Sequence, residues 1–518
     1  GHHGSMDKAI RLDVEQRLKN GYLRCVVSSS SLEMGIDIGS VDLVIQVGSP
    51  GSIATALQRI GRAGHQVGGL PRARFLPISP HDLLELVALQ TGILRGSMDI
   101  LKFPENCLDV LAQFLIGLSI IKEWDIDDAY GLASASWPYR NLPYDDYIEV
   151  LDLLEDERRI WVDWEDNKFG KRGFAQMIYY TNIGTIAPNN NYLVFTSDGT
   201  MVGQLSSSFV SSLRNGDVFL LGGSTYRVSS IRGTRVNVSP ATGYRPTIPS
   251  WTGEANSRTH ELSQEVLELL EEVATYTRLE KDPMTIFTDI LGLNRPVAHA
   301  VSGFFQEHVA TTFQVPSNDL ILVEQVEAPL PTYIVTTCRG RAFNLALGHL
   351  FAGIATNDNI IVHELSFDEN GFMIKLSHEV EISLIPEIFK QGNSKDVLQK
   401  HMMESQLFSK RFREISSRSM LNPRRIGADE VSPKQFQQRA EQIMQKHRQM
   451  DDSVLIRETM NEILHSDLDM AQLEIFINRM DSEHVRIVHR RVKMPSPLGM
   501  TLFMSSFEDL LSLRTRAY

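Results

Sequence analysis

Gln58, Arg59 and Arg62 are the residues of this 518-residue chain whose types and spacing best suit chemistry. They stand within four residues on a helical pattern, so the two guanidinium groups can converge on one side. Two fixed cations beside an amide suit a phosphoryl group that gains charge in a transition state, which is how an arginine finger works. Two arginines on a helix more often make only weak surface pairs, so spacing alone does not decide. Gly61 and Gly64 shift the balance. Each costs about 1 kcal/mol relative to alanine inside a helix, which suggests that something approaches the backbone closely.

The elements that must position these residues are legible on both sides. Leu23 to Val27 and Val41 to Val47 are apolar, β-branched-rich runs of the length of a buried parallel strand. Ser49-Pro50 supplies an N-cap and a first helical position for the helix carrying Gln58 to Arg62. Upstream, Ser5 caps a helix whose apolar face is Met6, Ile10, Val14 and Leu18, and Gly21 stops it. The opening GHHGSM has the look of a tag remnant. Downstream, Ala73 to Ile78 reads as another strand, and Ser79-Pro80 opens a helix to about Leu94.

Length and composition set the frame. A chain of 518 residues exceeds one core and suggests roughly three or four domains. Apolar residues at 42% and charged residues at 22% are ordinary for globular protein, which argues against wholesale disorder. The formal charge of −13 gives no support to nucleic-acid binding, although a local basic groove can act within an acidic chain. Cys25, Cys107 and Cys338 have neither disulfide nor metal-ligand spacing, which suggests a reducing, cytoplasmic setting and no structural zinc. The longest apolar run, Cys107 to Ile121, is interrupted by Asp109 and Gln113 and is too short to span a bilayer.

Beyond residue 98 the texture changes twice. Helical patterns at Cys107 to Ile120, Ile126 to Leu132 and Tyr144 to Leu154 precede a strand pair at Ile160 to Val162 and Ala175 to Tyr180. Between those strands lies the basic, glycine-bearing stretch Lys168 to Gly173, and helices closing on such a hairpin describe a winged helix. From Thr181 to Pro249, turn signals such as Asp198-Gly199 and Asn215-Gly216-Asp217 punctuate short strands, which predicts a β-meander or barrel. An amphipathic helix around Leu262 to Val273, further α/β segments and Met-, Gln- and Arg-rich helices from Leu398 to Met480 follow. Two basic clusters, Lys410 to Arg425 and Arg486 to Lys493, suit either phosphate tracking or a solvated face.

The wording of the first third is specific. SSSSLEMGID resembles motif V of superfamily 2 helicases and QRIGRAGH resembles their motif VI, while SLEMGIDIGSVDLVIQVGSP followed by QRIGRAGH is closer to the Lhr (large helicase-related) family. NIGTI, PSWTGE and FREISSRSM resemble elements of that family's large C-terminal domain. The resemblance implies that Gln58, Arg59 and Arg62 face the ATP γ-phosphate between two RecA-like domains. It implies that Gly35 and Asp37 link nucleotide to nucleic acid, and that Ser28, Ser29 and Ser30 contact phosphates, with His3 beside them. Hydroxyls and main-chain N–H groups at a strand end hold a backbone without reading sequence, as a translocating motor requires, although a serine run is also simple turn material.

The expected fold is multidomain α/β. Residues 1–98 form the C-terminal part of a second RecA-like domain, 99–180 a winged helix, and 181–518 a large α+β domain with a β-meander or barrel. No G-x-x-x-x-G-K-[ST] phosphate loop occurs anywhere in the sequence, and Asp156-Glu157 reads as a solvated helix end rather than a magnesium site. The chain is thus expected to be the truncated core of an ATP-dependent helicase, inactive alone, whose missing N-terminal RecA-like domain supplies most ligands for ATP and Mg²⁺. Implied partners are single-stranded nucleic acid or a tailed duplex, with DNA ahead of RNA, and no membrane. Ile186, an aliphatic residue in a polar turn, is a candidate obstacle at the duplex fork. Trp251, on a loop stiffened by Pro246 and Pro249, is a candidate for stacking on a base. The alternative is a non-catalytic nucleic-acid-binding module that works without ATP.

Overall fold

A computed structural model describes residues 1–3, 8–33, 41–64, 70–186, 191–206, 210, 213, 215–221, 224–232, 235–241, 257–279, 281–380, 394–427, 429–450, 452–482 and 484–504. Two compact units interleave along the chain, one made of residues 1–100, 252–397 and 469–518, the other of 101–251 and 398–468. Residues 181–518, expected as one domain, are therefore divided between both units. Among the described residues no helix is long and apolar enough to cross a membrane.

In the first unit, the parallel strands Val44–Val47 and Ala73–Leu76 pair in register from Val44 and Ala73. Helices Ile53–Ile60 and Pro80–Arg95 lie beside them. The second helix follows its sequence signals closely: Ser79 Oγ accepts from the Asp82 N–H, Pro80 fills the first turn, and Gly96 ends it at φ 78°. The helix after Ser49-Pro50 starts later than expected, at Ile53 with Ser52 as its cap. Gly51 takes a left-handed φ of 71°, which makes residues 49–51 a turn rather than the first helical positions. Leu23 to Val27 forms no ladder; only an isolated parallel bridge between His2 and Ser28 follows it, because no second partner extends the pairing among the described residues. The cap Ser5 and the apolar-face residue Met6, expected for the first helix, Lys8–Lys19, lie outside the described residues.

Apolar burial ties the motor-like elements to the rest of this unit. Ile53, Ala56, Leu84 and Leu89 share one core with Leu262, Leu270 and Phe305, so helix His260–Arg278 packs directly on helix Pro80–Arg95. A five-stranded sheet completes the unit in the order Val362–Phe367, Gly371–Leu376, Thr332–Thr336, Leu320–Val326, Arg486–Val492, antiparallel except for the last pair.

In the second unit, helices Leu108–Ile121, Ile126–Ser134 and Tyr144–Asp156 meet a three-stranded sheet in which Lys168–Lys171 lies between Trp124–Asp125 and Ile160–Asp163. The hairpin differs from the expectation in two ways. Its second strand is the basic stretch itself, and its tip is Trp164 to Asn167, closed by Asp163 Oδ1 accepting from the Glu165 and Asp166 N–H groups. Gly170 is not a turn glycine: a Cβ there would lie 2.6 Å from Trp161 Cζ2, so it makes room for the indole within the sheet. Residues 175–182 form a helix, not a strand, with Ala175 and Ile178 buried at helical spacing.

Among the described residues of 191–240, five strands form one sheet without closing into a barrel: Val218–Leu221, Ser224–Arg232 and Arg235–Pro240 run as an antiparallel meander, and Arg235–Pro240 pairs in parallel with Asn191–Thr196. Helices Gln406–Arg418, Pro433–Arg448 and Val454–Glu462 join this unit through buried polar contacts. Arg418 binds Asp109 at 2.5 Å and also Glu462, and Arg411 pairs with Asp467 and Glu414. In the first basic cluster, these two arginines are thus structural rather than open to phosphates.

Candidate active site and strand-holding edge

The candidate site is built on a strand, a tight turn and a short helix. Ile53 and Ala56, both fully buried, anchor one helix face in the core, which leaves Gln58 exposed and Arg59 and Arg62 half-buried. Past Ile60 the chain tightens, with the Arg62 N–H bonded to Arg59 O and the Ala63 N–H to Ile60 O, both at 3.0 Å. Gly64 has φ +76°, and a Cβ on it would lie 3.0 Å from Pro71 N. The close approach that the glycines signalled is therefore, at Gly64, an approach of the chain to itself.

Arg59 is a strut rather than a free cation. Its Nε and Nη2 donate to Glu33 Oε2 at 3.2 and 2.8 Å, and its Nη1 donates to Gln46 Oε1 at 2.9 Å. Gln46 in turn donates to the Val47 and Gly48 carbonyls. Arg59 thereby fastens the helix to strand Val44–Val47 and to Glu33, two residues past the serine run. Glu33 carried no recognisable signal in the sequence, since a lone glutamate in a loop is ordinary.

The serine edge is assembled by a histidine that sequence reasoning passed over. His2 is 1% exposed, with Nδ1 2.7 Å from Ser31 Oγ and Nε2 2.9 Å from Glu15 Oε1. Its main chain bridges Ser28, and its carbonyl accepts from Ser31 Oγ at 3.1 Å. This leaves His3, Ser28, Ser29 and Ser30 exposed along one edge. Within it Ser28 Oγ donates to Ser29 O at 2.7 Å. Gly35 and Asp37 lie outside the described residues, as does Trp251.

Ile186 belongs to the other unit and is 88% exposed. The Gly184-Thr185-Ile186 turn is fixed at its base by the buried Gln113, whose amide donates to Gly184 O at 3.2 Å and accepts from the Gly184 N–H at 3.1 Å. Gln113 also donates to Arg418 O at 2.9 Å. Such reciprocal side-chain pairing holds a loop as a strand partner would.

Three family descriptions match. Residues 1–66 match the helicase conserved C-terminal domain, 91–248 the winged helix domain of large helicase-related proteins, and 315–499 the DEAD/H associated domain. The chain is 34% identical over 530 residues to ATP-dependent helicase Lhr-Core protein 2 of Thermococcus barophilus, covering 99% of this chain and 61% of that protein. It is 34% identical over 535 residues to ATP-dependent helicase Lhr-Core of Methanothermobacter thermautotrophicus, with the same coverage. Its fold resembles that of the Mycobacterium smegmatis helicase Lhr solved with ssDNA and AMP-PNP, at a TM-score of 0.76 and 26% identity, over 97% of this chain and 61% of that one. The chain thus spans about three fifths of the length of the relatives it matches. Together these matches relate the chain to the C-terminal part of the Lhr family of superfamily 2 helicases.

Proposed function

We propose that the chain forms one wall of the ATPase cleft, together with the strand-handling domains, of an ATP-dependent helicase that tracks along single strands and unwinds duplexes. The observation that carries this reading is the presentation of Gln58, Arg59 and Arg62 at the free end of a helix whose opposite face is locked in the core. Arg62 would meet the γ-phosphoryl group and offset its transition-state charge, with Gln58 beside it. Arg59, engaged by Glu33 and Gln46, would keep that end in register. Mg²⁺ would neutralise phosphate charge, and its ligands would come from an opposing RecA-like domain, since Glu33 already holds Arg59.

The exposed edge of His3, Ser28, Ser29 and Ser30 offers donors to a nucleic-acid backbone, consistent with a strand held without sequence preference. DNA is favoured over RNA because the structural neighbour was solved with ssDNA. In this reading Ile186, exposed on a turn held by Gln113, serves as an apolar obstacle at the fork, and Trp251 stacks on a base of the strand. The test is ATP hydrolysis by the full-length protein with saturating single strand. Arg62→Ala is expected to cut turnover about a thousandfold, the low end for arginine fingers, while strand affinity is retained. Normal turnover in that variant would end the assignment.

A further inference from the structure

The helix Ile53–Ile60, which carries Gln58 and Arg59 and leads into Arg62, is gripped at its other end by residues more than thirty positions away. Asp99 Oδ2 accepts from the Ala54 N–H at 2.6 Å and from Ser52 Oγ at 2.9 Å, satisfying two donors at the helix start. Its other oxygen accepts from Thr259 Oγ1 at 2.5 Å, and the Thr259 N–H donates to Gly51 O at 2.8 Å. Ser49 Oγ donates to Glu85 Oε1 at 2.5 Å, and Glu85 Oε2 accepts from Arg258 Nη1 at 3.2 Å.

Arg258 is 5% exposed and leaves no part of its guanidinium idle. Nε donates to Ser263 Oγ at 3.1 Å, while Nη2 donates to the Cys338 and Glu369 carbonyls at 3.1 and 2.6 Å and to Asn370 Oδ1 at 3.2 Å. Ser263 lies on helix His260–Arg278, and the Nη2 acceptors lie on the loops that end strand Thr332–Thr336 and open strand Gly371–Leu376. A buried arginine of this kind is weak evidence of stability, because an apolar replacement of the whole cluster is often neutral or stabilising. What it does provide is fixed geometry, since the planar fork fits these acceptors in one arrangement only.

We infer that Arg258, Thr259 and Asp99 are positioning residues for the helix Ile53–Ile60 and the Arg62 turn that follows it, clasping the helix start to the five-stranded sheet so that helix and sheet move as one body during the ATPase cycle. The inference rests on the proposed role of Arg62. Displacements of about 1 Å at reacting groups cost on the order of a hundredfold, so loosening the clasp should be read in turnover.

The test uses the full-length protein with saturating single strand. Arg258→Lys keeps the charge beside Glu85 but loses the fork, and Asp99→Asn keeps shape but loses an anionic acceptor. Both are expected to lower kcat by about 10- to 100-fold, with KM for ATP and strand Kd within about twofold. Thr259→Val should follow them and Thr259→Ser should restore the rate, which a role in packing alone does not predict. Arg62→Ala is the control. If it abolishes turnover while Asp99→Asn and Thr259→Val, shown to be folded by thermal melting, keep normal kcat, the clasp is refuted and the role of Arg62 stands. If Arg62→Ala itself is fully active, the role of Arg62 fails, and the inference with it. Should Arg258→Lys fail to fold, Asp99→Asn and the Thr259 pair decide alone.

Discussion

Glu458 offers a quantitative test of the second unit. It lies on helix Val454–Glu462, is 5% exposed, and is pushed up to about 8 chiefly by burial and then by the charge of Asp109, with partial relief from the Leu108 main chain. Arg418, whose charge offsets a little of this rise, is engaged by Asp109 and Glu462. The folded state thus holds a proton that the unfolded chain releases near pH 4.5. Stability is fully present below that value and is lost as pH rises through the folded value near 8, because folded protein binds more protons throughout the window. At 1.36 kcal/mol per pH unit, the loss between about pH 5.5 and about pH 9 comes to roughly 3 kcal/mol. Glu458→Gln keeps the shape and removes the charge, so the difference in stability between wild type and variant should shrink with rising pH by about that amount over the range. Trp124, Trp137, Trp161, Trp164 and Trp251 all fall within residues 101–251, so tryptophan fluorescence during urea unfolding reports on this unit. Wild-type and variant curves that run parallel with pH would refute the reasoning, because Glu458 would then titrate normally.

Other expectations are simpler. Ile186→Ala should change thermal stability by less than about 0.5 kcal/mol, since an exposed side chain leaves little cavity. In the full-length protein the same change should slow unwinding but spare single-strand-stimulated ATP hydrolysis, and unchanged unwinding would remove Ile186 from the fork. The purified 518-residue chain should show no ATP turnover, and steady hydrolysis sensitive to Arg62→Ala would show that a phosphate cradle was overlooked. Gly371→Ala should cost about 3 kcal/mol or more, because its Cβ would sit 2.1 Å from Val335 O on the neighbouring strand, and a normal melting curve would contradict that packing.

The sequence by itself determined what depends on local chemistry. Ser79-Pro80 opens a helix by capping and φ preference, and the motif wording around Ser28 to Gly64 placed the candidate site before any contact was visible. Local rules failed where a neighbour overrode them. Gly170 resembles a turn residue until Trp161 is laid over it, and the apolar run at Ala175 resembles a strand until Ile178 is buried on a helix face. Only the tertiary structure decided that residues 398–468 belong with 101–251, and that Arg411 and Arg418 are bound by carboxylates rather than open to phosphates. Only it showed Arg258 and Asp99 converging on the start of the helix Ile53–Ile60. The reason is physical: a cap or a turn is set by residues within four positions, whereas the partner of a buried charge is set by which distant segments share a core.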